Sequence, residues 1–315
     1  MDVAAFSRRI IENVETVIVG KRDAVRLSLV ALLCEGHVLL EDVPGVAKTM
    51  LARALARSVG CSFARVQCTP DLLPSDITGI AIFNQKNLDF EFRPGPVFNQ
   101  VLLADEINRA TPRAQSALLE CMAERQVTAD GQTYQLARPF MVLATQNPIE
   151  HEGTFPLPEA QLDRFLIRMN IGYPSFTDEN SMLERLRLNH PIETLQSVTT
   201  AEQLAEAQMT VREVFVHEKV REYIVRLVHA TRNSNELAMG ASPRASIALY
   251  RTAQAVAALE GRNWAAPDDV KYVVESVLCH RVIVAPEARL RGAGAAQVIA
   301  HLVETVPAPI EKSKP

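Results

Sequence analysis

Apolar residues change their period along this chain, and each change marks a change of structure. Over the first 34 residues they recur at helical spacing. Ile10, Ile11, Val14 and Val17 share one face, while residues 24–33 are apolar nearly all round, as in a helix sandwiched against a sheet. Val19-Gly20 separates the two helices, either as a plain turn or as a place where backbone approaches a ligand closely. From His37 the apolar runs shorten to strand length: Val38-Leu39-Leu40, the alternating stretch 63–68, Val101 to Ala104, Phe140 to Thr145, and 165–171. Two hairpins interrupt this series. Ile80 and Ile82 alternate against Phe90 and Phe92 around Asn84-Gln85-Lys86-Asn87, closed by Arg93-Pro94-Gly95-Pro96; a second pair, 126–128 and 133–136, flanks Ala129-Asp130-Gly131. The aromatics of the first hairpin either pack on the body or stand exposed for a partner.

Beyond the linker Gly172-Tyr173-Pro174-Ser175 every apolar stripe is helical, as in Val220, Tyr223, Ile224, Leu227 and Val228. Thr199 with Glu202 forms a capping box, Ser242-Pro243 an N-cap with proline at the first helical position, and Gly261 a stop; Pro267-Asp268-Asp269 opens another helix. Residues 1–172 therefore read as an α/β domain and 177–308 as an all-α domain, a division that suits 315 residues.

Composition narrows the class only mildly. The chain is 48% hydrophobic and 22% charged, with net charge −4, which disfavours nucleic acid as the main partner. No apolar run approaches the roughly 18 residues of a membrane span. The N-terminus reads as free of a targeting segment, and the C-terminal EKSKP as a tail. Five cysteines, odd in number and without a C-x-x-C pair, read as small apolar residues of a reducing, cytoplasmic setting.

The candidate chemistry lies at the strand ends. In HVLLEDVPGVAKTMLARALARSVG an apolar run meets a tight Pro44-Gly45 turn, then Lys48-Thr49, then a helix with Leu51, Ala54 and Leu55 on one face. Strand, turn and helix in that order make a phosphate cradle. Its backbone N–H groups and helix dipole face an anion, Lys48 reaches the terminal phosphates, and the Thr49 hydroxyl ligates Mg²⁺. The turn Pro44-Gly45-Val46-Ala47 departs from G-x-x-x-x-G-K-[ST], because Asp42 and Ala47 stand where glycine is usual; Ala47 calls for backbone tolerable to a Cβ. The bland alternative is an ordinary strand–turn–helix with a surface lysine. Downstream, Val101 to Ala104 ends in Asp105-Glu106. Asp105 suits Mg²⁺ through water and Glu106 suits polarising an attacking water, unless both are merely solvated. Asn147, at the tip of another strand, is placed to bond a γ-phosphate or that water, or simply to turn the chain before Pro148. Glu150-His151-Glu152 is read as solvated, with no metal assigned. Arg244 begins a helix, where a cation opposes the dipole unless an anion offsets it.

The stretches LLEDVPGVAKT, VLLADEINRATPRAQSALLECMAERQVT, ATQNPIEHEGTFPLPEAQLDRF and GASPRA together resemble the MoxR family of AAA+ ATPases, over about Val14 to Val284. That resemblance implies a five-stranded parallel-sheet P-loop core with β-hairpin insertions and a helical lid. It also implies ATP and Mg²⁺ as cofactors and a ring, usually a hexamer. Lys48 and Thr49 then match Walker A, with residues through Met50 beside the nucleotide; Asp105 and Glu106 match Walker B. Asn147 matches sensor 1, Arg164 the arginine finger, and Arg244 sensor 2. Similar proteins act as chaperone-like remodellers, often with a von Willebrand factor A-domain protein encoded nearby. The competing expectations are a nucleic-acid motor or loader, and a nucleotide-gated scaffold with little turnover. Against the motor, Lys86 is the one clear base in the first hairpin turn and the second tip is acidic. Against the scaffold stands Glu106.

Overall fold

The computed structural model describes residues 1–86, 88–129, 131–148, 153–185 and 190–309. Asn87, Asp130, Glu150-His151-Glu152 and the tail 311–315 lie outside the described residues.

Five parallel strands form one sheet in the order Phe63–Gln67, Val101–Asp105, Met141–Gln146, Val38–Glu41, Ile167–Met169. The near-continuous apolar runs follow from burial on both faces. Alternate residues face opposite ways. Val38, Leu40, Val101, Leu103, Met141 and Leu143 join one apolar cluster, and Leu39, Leu102, Ala104, Val142 and Ala144 the other. The second cluster is closed by the helix Pro112–Glu124 through Leu118 and Leu119. The first is larger. It runs from Phe6 and Ile10 of the helix Val3–Glu15, through Leu51 and Leu55, to Leu204, Leu249 and Val273 of the C-terminal helices. The N-terminal helices are thus packed against both parts of the chain.

The C-terminal part is built on the helices Ala201–Arg212, Glu218–Asn233, Pro243–Leu259, Pro267–Leu278 and Ala295–Thr305. It departs from the all-helical expectation in one respect. Phe215–Val216 pairs in parallel with Trp264–Ala265, and Leu237–Met239 pairs antiparallel with Ile283–Val284. These are inter-helix connections running side by side, whose peptide groups satisfy one another. The capping box is also displaced by one residue. Thr200 accepts from Gln203 N and Gln203 Oε1 accepts from Thr200 N, because Thr199 is buried and bonds Gln203 through its hydroxyl. Ser242 caps the helix Pro243–Leu259 as expected, accepting from Arg244 N. Among the described residues no helix is long and apolar enough to cross a membrane.

Both hairpins are present, Gly79–Asn84 with Asp89–Pro94 and Gln126–Ala129 with Gln132–Gln135. The aromatics of the first divide between the two expected fates. Phe92 stacks on Tyr134 of the second hairpin at 4.1 Å and meets Phe98 edge-on, so it is packed on the body. Phe83 and Phe90 contact each other near the tip and stay exposed, with Ile80 and Ile82 beside them.

His37 pins the start of the central strand. Its Nδ1 accepts the Val142 N–H at 3.0 Å, and Nε2 lies 3.1 Å from the Met122 carbonyl, which fixes the neutral ring with its proton on Nε2. Burial pushes its pKa down to about 4. His280 is likewise buried against the Phe165 carbonyl and lowered, first by burial and then by Arg281. Both rings stay neutral when folded yet take up protons near pH 6.5 when unfolded. Their contribution is therefore full above about pH 6.5 and lost as pH falls towards 4, with His37 alone worth roughly 3 kcal/mol over that window. The thermal midpoint should drop through this range, and His37→Gln should flatten the drop; an unchanged pH profile in the variant would contradict the assignment.

Candidate active site at the strand ends

The strand Val38–Glu41 runs into Asp42, turns at Pro44-Gly45 with Gly45 at φ +87°, and enters the helix Lys48–Ser58 through Ala47 at φ 63°. Ala47 therefore adopts the left-handed region rather than one comfortable for a Cβ, at about 1–2 kcal/mol for an L-residue. Left-handed residues in such a turn aim successive N–H groups into one concavity, which suits an anion. Lys48 Nζ donates to the Asp42 carbonyl at 2.7 Å. Burial lowers the Lys48 pKa, and the nearby charges of Asp42, Asp105 and Glu106 oppose that fall. One partly buried ammonium thus lies in the field of three carboxylates.

The Asp42 carboxylate has another task. One oxygen accepts from Ile171 N at 2.6 Å and Gly172 N at 2.7 Å; the other accepts from Val43 N at 2.9 Å. Where most phosphate loops carry glycine, this one carries a buried strut to the point where the chain leaves the edge strand Ile167–Met169.

The acidic strand Val101–Asp105 delivers Asp105 beside Thr145 of the neighbouring strand. Thr145 Oγ1 donates to Asp105 Oδ1 at 2.6 Å and accepts from Glu106 N at 2.8 Å. Asp105 Oδ2 accepts from Arg65 Nε and Nη2 at 3.1 and 2.7 Å. A carboxylate offers about four lone-pair sites, so these three bonds leave one on Oδ1. Glu106 is a second non-glycine residue in the left-handed region, at φ 57°, and pairs with Arg109 at 3.1 Å. Asn147 follows the strand Met141–Gln146, whose last residue lies in register with Glu41 at the mouth of the phosphate loop. Lys48, Asp105, Glu106 and Asn147 therefore share one end of the sheet, the carboxyl ends of its strands, where open α/β folds bind ligands.

A cleft beside the loop joins Val19, Ala47 and Met50 with Val17, Met182 and Pro191, an apolar surface next to the cradle. Gly20, at φ +70°, faces the Asp178 carboxylate so closely that a Cβ would lie 2.2 Å from it. Glycine there lets the helix Phe176–Arg185 approach. Thr145, Arg65 and Arg109 had no sequence signal beyond being polar near a strand end.

Arg164 and Arg244 lie elsewhere. Arg164 precedes the edge strand Ile167–Met169, and since all five strands are parallel, it stands at the opposite end of the sheet from Lys48. Its guanidinium donates to the Leu119 carbonyl rather than to the adjacent Asp163. Arg244 is exposed, with Nη1 3.9 Å from Asp163 Oδ2, so it keeps company with Arg164 and not with its own chain's phosphate loop.

A parallel sheet with a phosphate cradle, an acidic strand end and a helical lid defines an AAA+ P-loop ATPase. Residues 37–167 match the family described as ATPase family associated with various cellular activities (AAA), and 229–302 match the AAA lid domain. The chain is 51% identical to the YeaC protein of Bacillus subtilis, over 99% of this chain and 98% of that one. It is 44% identical to Chaperone MoxR1 of Mycobacterium tuberculosis, over 98% and 83% respectively. A crystal structure from Cytophaga hutchinsonii, 39% identical, superposes with a TM-score of 0.91, over 98% of this chain and 97% of the other. The chain belongs to the MoxR family of AAA+ ATPases, and its activity is ATP hydrolysis.

Asp42→Gly restores the usual glycine yet leaves the N–H groups of Ile171 and Gly172 without their acceptor. Buried orphans of this kind cost about 1–3 kcal/mol each. The substitution should lower the unfolding midpoint and weaken nucleotide binding in a fluorescent-nucleotide titration. Tighter binding by the glycine variant would show that Asp42 hinders the site.

Proposed function

We propose that this ATPase drives chaperone-like remodelling, maturation or assembly of partner protein complexes, working as a ring, most simply a hexamer, whose active sites are completed between subunits. The observation that carries the shared site is the placement of Arg164 and Arg244 at the end of the sheet opposite Lys48. Neither can serve its own phosphate loop without crossing the sheet, whereas a neighbour stacked head to tail would receive both.

Within one subunit, the loop N–H groups and Lys48 hold the phosphates, and Val19, Gly20 and Met50 border the base. Thr49 and Asp105 would hold Mg²⁺, supplying hard oxygen donors of the kind that ion takes, and Asp105 keeps a lone pair on Oδ1 for that purpose. When bound, the ion neutralises charge that develops on the phosphates. Glu106, held by Arg109 and by the Thr145 hydroxyl on its N–H, orients and deprotonates the attacking water, with Asn147 beside it. Arg164 from the neighbour stabilises the transition state, worth about 10³–10⁵ in rate where such fingers have been measured. Arg244 lies alongside as the lid's contact with phosphate.

Two features favour a protein client over nucleic acid. The relative from M. tuberculosis is named a chaperone. The first hairpin exposes Ile80, Ile82, Phe83 and Phe90, while its Lys86 is offset by Asp89 and Glu91. Apolar surface of this kind suits a polypeptide, not a phosphate backbone. A von Willebrand factor A-domain protein is the partner expected by family resemblance.

Lys48→Ala should abolish ATP binding, whereas Glu106→Gln should bind ATP and lose turnover; full hydrolysis by Glu106→Gln would remove it as the general base. ATPase activity should rise with a von Willebrand factor A-domain protein encoded nearby, and stay flat with single-stranded DNA. Stimulation by DNA alone would favour the motor.

The shared site is tested by mixing. Arg164→Ala chains keep Glu106, and Glu106→Gln chains keep Arg164. Each should be inactive alone and partly active together, since some interfaces then join an intact base to an intact finger. Mixed rings that form but stay inactive would refute the arrangement.

A further inference from the structure

The loop carrying Arg164 is gripped from the lid of its own chain. Arg281, just beyond the helix Pro267–Leu278, has a side chain only 4% exposed. Its Nε donates to Asp163 Oδ1 at 2.7 Å, Nη2 to the Phe165 carbonyl at 2.6 Å, and Nη1 to the Leu166 carbonyl at 3.2 Å and to Val277 O. His280 lies 2.9 Å from the same Phe165 carbonyl. Residues on both sides of Arg164 are therefore bolted to one lid helix, while Arg164 itself stays exposed. The other oxygen of Asp163 meets the start of a second lid helix, with Ser242 Oγ at 3.3 Å and Arg244 Nη1 at 3.9 Å.

A buried ion pair is a poor way to stabilise a fold, since apolar residues of similar volume often do as well or better. A guanidinium fork is a good way to fix an orientation, because its planar donors are satisfied in only one pose. Here that fork sets the residues flanking Arg164, and its carboxylate partner is shared with the helix that presents Arg244. We propose that Asp163 and Arg281 are positioning residues that join Arg164, Arg244 and the lid into one rigid unit, so that the orientation of one subunit's lid sets how its arginines meet the next subunit's nucleotide.

This rests on the between-subunit site proposed above, and the experiment separates the two. Asp163→Asn keeps the shape and removes the charge; Arg281→Lys keeps the charge and removes the fork, and serves as the second variant should the first fold poorly. Either should leave ATP affinity within about twofold, because the phosphate loop is at the other end of the sheet. Turnover should fall by around 10²-fold, the scale of a 1 Å misplacement in an active site. A defect of fold alone would lower affinity and turnover together. Mixing then assigns the side of the lesion. Asp163→Asn with Glu106→Gln should regain activity, since the first supplies a sound base and the second sound arginines. Asp163→Asn with Arg164→Ala should stay inactive, every donated arginine being faulty.

The proposal is overturned if turnover is unchanged in both variants, or if Asp163→Asn with Arg164→Ala recovers activity, which would place Asp163 in its own chain's site. It is also overturned, with the between-subunit site left standing, if Arg164→Ala with Glu106→Gln recovers while Asp163→Asn with Glu106→Gln does not. If that reference mixture itself fails, the site reading falls and the proposal falls with it.

Discussion

Parallel strands have a direction, and that direction decides what each part of this chain can reach. Every strand of the sheet delivers its carboxyl end to the same side, so the phosphate loop, Asp105-Glu106 and Asn147 arrive together without any designed contact between them. The same rule sends the segment before the edge strand, with Arg164, to the far side. The remaining polar interactions refine positions within these two groups. Thr145 orients the two acids, Asp42 ties the loop to the exit of the edge strand, and Arg281 ties the far loop to the lid.

Of the described non-glycine residues in the left-handed region, Glu35, Ala47, Leu88, Glu106 and Arg125, two lie in the first group. Ala47 and Glu106 both carry a Cβ in the left-handed region, one at the start of the phosphate-loop helix and one beside the acidic strand end. Strained residues of this kind persist where surrounding structure over-determines them. Here that structure is visible. The helix Lys48–Ser58 follows Ala47 directly, and Thr145 accepts the Glu106 N–H.

The parts of the site legible in the sequence are those written within a few consecutive residues. Lys48-Thr49 after an apolar run, and Asp105-Glu106 at the end of another, announce themselves because strand periodicity and local chemistry coincide. The order of elements was legible for the same reason, and so were the hairpins, since alternation and turn residues are local. What was not legible depends on chain segments meeting from far apart. Asp42 looked like a flaw in a motif because its partners are Ile171 and Gly172. Arg281 carried no signal, since its partner lies 118 residues earlier. The paired connections among the lid helices escaped because two-residue strands leave no period to read, and the displaced cap at Thr200 turned on which of two threonines is buried.

The stack of Phe92 on Tyr134 links two hairpins that are otherwise separate ladders. Aromatic pairs contribute about 0.5–1.5 kcal/mol beyond their buried area, only a little more than thermal energy. A joint of that strength is a hinge pin, not a weld. Load applied at the exposed tip of the first hairpin would pass to the second in part through this face-to-face contact, and the two could part while each ladder stayed intact. The same hairpin is also continuous with the acidic strand, since Asp89–Pro94 leads through the turn Pro96–Phe98 into Val101–Asp105, so a pull that parts the two hairpins still travels along the chain towards the carboxylates.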